Sequence, residues 1–269
     1  MNLTRNLSSV FLTLVLFFLY GPILYLIVFS FNDAKAVAVW GGFSFRWYQE
    51  MANNQQLLRS AVASLKIAAF VAIGSVVIGT LAGYVMARYR HFPGSGLFKG
   101  MMIAPMIMPE VITGMSLLLL FVVMQGFTGW PSDRGFLTVS IAHMTFASCF
   151  VAVVVRAKLA SSDPSLEEAA LDLGATPLAV LCDITLPNIS SAMFAGGLLA
   201  FTMSIDNVVI SSFTTGPGTT TLPLYIYSRV KLGVAPDINA LATLMIMTVF
   251  FVSLAASIIS ARRNYQPAE

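Results

Sequence analysis

Three ionisable side chains, Lys66, Glu110 and Asp206, interrupt stretches that are otherwise almost pure hydrocarbon. A charge in the middle of a membrane span costs about 2.5–3.5 kcal/mol on insertion scales, so by default it marks a transport path, a proton or ion relay, or a paired site. Glu110 follows Pro109, and Asp206 is followed by the polar Asn207. Carboxylates at 110 and 206 can attract a cation or pass a proton. They suit an aspartyl protease poorly, because that chemistry needs two aspartates sharing one proton, and no nucleophile with a base beside it is evident. A quieter reading also stands: one acid pairs with Lys66, or Glu110 caps a helix broken at Pro109.

The other reactive residue types point to no further chemistry. In "RYRHFPGSGLFKG" (88–100), Gly94, Ser95, Gly96 and Lys99 look like fragments of a phosphate loop. That loop needs Gly before its Lys and Ser or Thr after it; Lys99 lies between Phe98 and Gly100. ATP binding by that route is excluded. His91 and His143 stand alone, the first on a surface and the second in a packed interior. Cys149 and Cys182 fall in different environments, which predicts neither a disulfide nor a metal site.

One long segment, "LEEAALDLGATPLAVLCDITLP" (166–187), is polar and acidic while both its flanks are apolar. Ser165 and Glu168 have capping-box spacing. Leu166, Ala169, Ala170 and Leu173 recur on one helical face. Gly174 can end that helix in a left-handed conformation. Thr176 and Pro177 supply a cap and a first-turn proline for a second helix, and Pro187 ends or redirects the run. The segment therefore reads as a helical hairpin whose apolar side is left for a partner.

These groups must be positioned by membrane helices. The chain has 269 residues, 57% hydrophobic and 10% charged, with a mean hydropathy of +0.82. Apolar runs of at least about 18 residues fall at roughly 10–31, 60–87, 100–124, 137–155, 191–212 and 237–260. The expected fold class is an all-α membrane protein with six transmembrane helices in a single domain, 1–269. The first run exceeds a signal-peptide core of about 7–15 residues, so its helix is expected to stay. Six spans put both termini on one side, and Arg88, Arg90, Arg156, Lys158, Arg262 and Arg263 at helix ends mark that side as cytoplasmic. A net charge of +3, spread over both faces, argues against nucleic acid.

Smaller signals complete the frame. Trp40, Phe43, Phe45, Trp47 and Tyr48 suit an interfacial segment, in which Ser44 caps a short helix. Gly79 and Gly83 have the spacing that lets another helix approach closely. Pro223 can start, and Gly233 end, a short helix between the last two spans.

The hairpin carries a resemblance. Glu168-Ala169-Ala170, three residues, Gly174, nine residues, Ile184, one residue, then Leu186-Pro187 resembles the EAA signature of permease subunits of binding-protein-dependent ABC importers. The resemblance runs on through "MPEVITGMSLLLLF" (108–121), "GWPSDRGFLT" (129–138), "LAFTMSIDNVVISSFTTGPGTTTLPLYIYS" (199–228) and "INALATL" (238–244), which look like polyamine importer permeases. Of the two permeases in such a system, the chain is most similar to the second of the putrescine type. The resemblance implies the type I importer architecture, with the 163–187 loop coupling to a cytoplasmic ATPase through Glu168, Ala169, Ala170, Gly174, Ile184, Leu186 and Pro187. It implies a bacterial inner-membrane location and a heterodimer with a homologous permease. It further implies two ATPase subunits that use ATP and magnesium, a periplasmic polyamine-binding protein, and a polyamine cargo, putrescine, spermidine or another small amine. The chain itself would be no enzyme and would bind no cofactor.

On this resemblance Glu110, Asp206 and Asn207 line the substrate path, where spaced carboxylates and aromatic faces suit ammonium groups. There is a departure: related polyamine permeases commonly carry two adjacent acids where this chain has Asp206-Asn207. The alternative class, a self-sufficient secondary transporter relaying protons through Glu110 and Asp206, leaves the EAA loop unexplained.

Overall fold

The computed structural model describes residues 2–35, 39–89, 91–232 and 236–263. Arg90 and Gly233 lie outside the described residues, as do the side chains of Arg262 and Arg263. The elements are helical throughout: α1 (Asn2–Phe29), α2 (Arg46–Asn53), α3 (Gln55–Arg88), α4 (Ser95–Ile107), α5 (Glu110–Thr128), α6 (Phe136–Ser161), α7 (Ser165–Asp172), α8 (Pro177–Ala179), a π-helical stretch (Val180–Thr185), α9 (Leu186–Asn188), α10 (Ser190–Asp206), α11 (Val209–Thr214), α12 (Leu222–Leu232) and α13 (Pro236–Arg263).

Four described helices are long and apolar enough to cross a bilayer alone: α1 over Val10–Phe29, α3, α5 and α6. Residues 177–188 and α10 make a fifth when taken as one span, bent by 70°. The sixth expected run coincides with α13. The third run, expected as one helix over 100–124, is two. Pro109 offers no N–H and biases the residue before it away from the helical region. Met108 is accordingly extended (ψ 139°), α4 stops at Ile107, and α5 starts at Glu110. The fifth run, expected over 191–212, also breaks, at Asn207 (ψ 105°).

The chain divides into two compact units, residues 59–227 and a second made of 1–58 with 228–269. In the 59–227 unit α6 is the central helix. Lipid tails offer little hydrophobic drive for helix association, so close packing of small residues must supply it. A Cβ at Gly79 would sit 2.6 Å from Val151 Cβ and 2.7 Å from the Ser148 carbonyl; one at Gly83 would sit 2.7 Å from the Ala152 carbonyl. The α3 glycines therefore meet α6 of the same chain. Around that seam Ile67, Val71, Val151, Val155, Leu159, Ile189 and Ala200 form a buried cluster. A second cluster joins Phe121 of α5, Ala142 and Phe146 of α6, and Ile210 of α11.

In the other unit α2 packs against α13, and α1 also meets α13. Trp47 is buried and donates from Nε1 to the Asn32 carbonyl at 2.6 Å. Phe31, Phe43, Phe45 and Tyr48 stack into one ring cluster. Trp47 is thus an internal packing residue, while Trp40, Phe43 and Phe45 stay exposed, as the interfacial reading expects. Ser44 Oγ accepts from the Arg46 amide at 3.1 Å, close to its expected capping role.

Candidate functional site

The hairpin forms where expected, with its first cap displaced by one turn of logic. Ser165 lies inside α7 after Pro164, and its amide donates to Asp163 Oδ1 at 2.9 Å. The Ser165–Glu168 capping box does not form, because the aspartate two residues earlier takes the exposed amide first. The same Ser165 amide and hydroxyl hold the Asp163 carboxyl below its ordinary range. Gly174 adopts φ +88°. Its amide donates to the Leu171 carbonyl at 2.9 Å, and the Ala175 amide to that of Ala170 at 3.0 Å, closing α7. Thr176 Oγ1 then accepts from the Ala179 amide at 3.3 Å, opening the second arm behind Pro177.

That second arm is not a plain α-helix. Over Val180–Thr185 it widens to π geometry, and Thr185 Oγ1 turns back to the Val180 carbonyl at 3.3 Å.

The seven signature residues separate into two groups. Glu168, Ala169, Gly174 and Pro187 are exposed, whereas Ala170, Ile184 and Leu186 are half-buried. Leu186 packs against the Ile67–Leu159 cluster. Beside the exposed group lie bare apolar side chains: Leu166 is 59% exposed, Leu178 70% and Leu173 90%. These leucines and the Glu168 carboxylate are thus exposed on one hairpin.

What holds the hairpin to the membrane helices is a residue the sequence reading passed over. Glu167, neighbour of the signature glutamate, takes Arg88 in a bidentate pair: Nε to Oε2 at 2.8 Å and Nη2 to Oε1 at 2.9 Å. Arg88 Nη1 also donates to the Leu159 carbonyl of α6 at 3.2 Å, and Thr185 Oγ1 to Glu167 Oε1 at 3.1 Å. Three elements, α3, α7 and the π stretch, meet at one carboxylate, and α6 joins them through Arg88. The only signal in the sequence was a second glutamate beside the signature one and an arginine at a helix end.

The intramembrane acids come together at the two helix breaks. Glu110 is the first residue of α5 and Asp206 the last of α10. With Phe146, Met203, Asn207, Val208 and Val209 they line a cavity of about 360 Å³. Asn207 is buried; its Oδ1 accepts from the Ile210 amide at 2.8 Å, capping α11, and its Nδ2 reaches Glu110 Oε2 at 3.5 Å. Asp206 is exposed and Glu110 half-buried. Lys66 is exposed and forms an ion pair with neither acid among the described residues. Glu110, in the first turn of α5, sits where the helix dipole favours a carboxylate.

Behind the break, His143 of α6 is buried as expected for a packed interior histidine. Its Nδ1 bonds Ser204 Oγ of α10 at 2.9 Å and its Nε2 bonds Ser211 Oγ of α11 at 3.0 Å. One ring thus ties both arms of the broken helix to the central one.

This geometry has relatives. The chain is 50% identical over 249 residues to the putrescine transport system permease protein PotI of Escherichia coli (strain K12), covering 93% of this chain and 89% of that protein. It is 40% identical over 256 residues to the spermidine/putrescine transport system permease protein PotC of the same strain, covering 95% and 94%. Its fold matches a chain in the crystal structure of a bacterial ABC transporter involved in the import of the acidic polysaccharide alginate. That match has a TM-score of 0.73 and 16% identity, over 97% of this chain and 96% of that one. The model of the binding-protein-dependent transport system inner membrane component matches residues 79–265. The hairpin, the broken helices between it and α12, and these matches lead to one conclusion: the chain belongs to the family of inner membrane components of binding-protein-dependent transport systems.

Proposed function

We propose that the chain is the second permease of an ATP-driven polyamine importer, with putrescine as its cargo. In this reading the 163–187 hairpin projects into the cytoplasm and seats its exposed face, Glu168, Ala169, Gly174 and the bare leucines, in a groove of an ABC ATPase that binds ATP and magnesium. The Arg88–Glu167 pair and Leu186 pass that subunit's movement to α3, α6 and α10. A homologous permease completes the path, and a periplasmic binding protein delivers cargo to the opposite face, where α12 lies.

The observation that carries the cargo assignment is the cavity where both helices break. It is lined by two carboxylates, Glu110 and Asp206, and by Phe146. A diamine offers two ammonium groups on a short methylene chain, which matches two acids in a cavity whose lining also holds Phe146, Met203, Val208 and Val209. The amide of Asn207, bonded to Glu110, keeps the negative charge at two. The 50% identity to a putrescine permease supports the same cargo.

The test is uptake of radiolabelled putrescine by vesicles containing the chain with its partner permease, ATPase and binding protein, with spermidine as competitor. ATP-dependent uptake blocked by putrescine is expected, with Asp206→Asn depressing it at least about tenfold while the ATPase still co-purifies. Uptake that persists without ATP would overturn the importer reading; normal uptake by Asp206→Asn would remove Asp206 from the path.

A further inference from the structure

A second polar cavity, of about 490 Å³, lies at the hairpin end of the membrane helices. Its wall includes Arg88 of α3, His91, Lys99 of α4, Arg156 of α6 and Ser162. The lining holds no carboxylate; of the acids beside it, Glu167 is committed to Arg88, and the exposed Asp163, between Ser162 and Pro164, accepts from the Ser165 amide. Arg156 has no ion-pair partner among the described residues. It also precedes the end of its helix, Ser161, by five residues, which at 1.5 Å per residue places it about 7.5 Å inside the α6 terminus. Arg156 is exposed, one residue past the apolar run 137–155, where a guanidinium suits the polar edge of a bilayer. Here it faces a concavity that Lys99 enters from the α4 side.

We propose that this cavity binds a phosphate-bearing anion, with the headgroup of an anionic phospholipid as its source. Basic pockets between membrane helices suit such headgroups, and a guanidinium facing an ammonium can grip a phosphodiester from two sides. The glycine-rich turn 88–100 fails as a nucleotide loop, yet Arg88, His91 and Lys99 from it meet phosphate chemistry, as one wall of a lipid site. A lipid held here would bridge α4 and α6 beside the root of the hairpin. Free inorganic phosphate offers the same chemistry without an acyl chain.

The experiment is native mass spectrometry of the full chain purified in mild detergent, after incubation with phosphatidylglycerol or phosphatidylcholine. Wild type is expected to retain one phosphatidylglycerol in preference to phosphatidylcholine. Arg156→Gln and Lys99→Gln are each expected to lower that occupancy about tenfold. Arg156→Lys, which keeps the charge, and Lys158→Gln, which removes a cation outside the cavity, are expected to retain it. Stabilisation against heat by inorganic phosphate, lost in Arg156→Gln, with no preference for phosphatidylglycerol, would assign the site to the free ion. Equal phosphatidylglycerol retention by wild type, Arg156→Gln and Lys99→Gln, with no effect of phosphate on any of them, would overturn the proposal.

Discussion

Arg88 and Glu167 stand 79 positions apart in sequence and share two hydrogen bonds of 2.8 and 2.9 Å, with both side chains less than a fifth exposed. The pair lies where the last residue of a membrane helix meets the first turn of the hairpin, so a displacement of the hairpin acts on α3 through it. Glu168, one residue on, is exposed. Adjacent glutamates therefore differ in setting, one held against the bundle by Arg88 and one exposed, and in the proposed function only the second meets the ATPase.

This division predicts two distinct failures. Glu168→Ala should weaken co-purification of the ATPase subunit. Glu167→Ala should leave co-purification intact and cut transport per ATP hydrolysed. A double-mutant cycle of Arg88→Ala with Glu167→Ala, read from thermal unfolding, should give a coupling of about 1–3 kcal/mol. Identical behaviour of the two glutamate variants would show that the split does not exist.

Gly174 predicts a hinge effect of another kind. Nothing lies within 4 Å of a Cβ built there, so Gly174→Ala meets no clash, and its whole penalty comes from φ +88°. That penalty is about 1–2 kcal/mol, and asparagine tolerates the conformation better. The variant has a cheap escape, which is to change the angle between α7 and the Pro177 arm. Gly174→Ala should therefore insert normally yet lose ATPase coupling, with Gly174→Asn intermediate. Equal coupling in all three proteins would make the left-handed turn irrelevant to docking.

The α3–α6 seam gives a stability prediction. Gly79→Ala pushes a methyl against Val151 and the Ser148 carbonyl, backbone that cannot step aside, and overpacking of this sort costs about 1–3 kcal/mol. Gly96→Ala, in α4 with open space around it, is the control and should be neutral or slightly stabilising. Thermal unfolding in detergent separates them; an unchanged midpoint for Gly79→Ala would mean the helices can part without loss.

How much of this was readable beforehand follows the range of the interactions. The hairpin turn was legible because Gly174, Thr176 and Pro177 act within a few residues of themselves. The α3 glycines were legible by their spacing as a site of close approach, but not the helix they meet, since Val151 and Ala152 of α6 lie about 70 residues away. The break at Pro109 carried its own signal and stood as one reading of Glu110, although the apolar run 100–124 was counted as one span. The break at Asn207 has no proline; it rests on a side chain capping Ile210 and on His143 clasping Ser204 and Ser211 from another helix. Local spacing could not separate Glu167 from Glu168, since what distinguishes them is an arginine far away in sequence.

Asn207 yields the sharpest test of how the chain sets its cargo. Its amide does two things at once: the oxygen caps Ile210 and the nitrogen donates toward Glu110. Aspartate could keep the cap, because a carboxylate accepts from the Ile210 amide equally well. It could not donate, and it would bring a second negative charge within about 3.5 Å of Glu110. At an effective dielectric near 20 such a pair repels by roughly 5 kcal/mol. A cargo with an additional ammonium group relieves that repulsion, whereas a diamine already engaged by Glu110 and Asp206 relieves less of it. Asn207→Asp should therefore move competition in the uptake assay from putrescine toward spermidine, by about tenfold or more in their ratio. Asn207→Leu, which loses both bonds, should lower uptake of either amine without changing the preference. An unaltered ratio in Asn207→Asp would confine Asn207 to capping α11 and leave the choice of polyamine to other parts of the transporter.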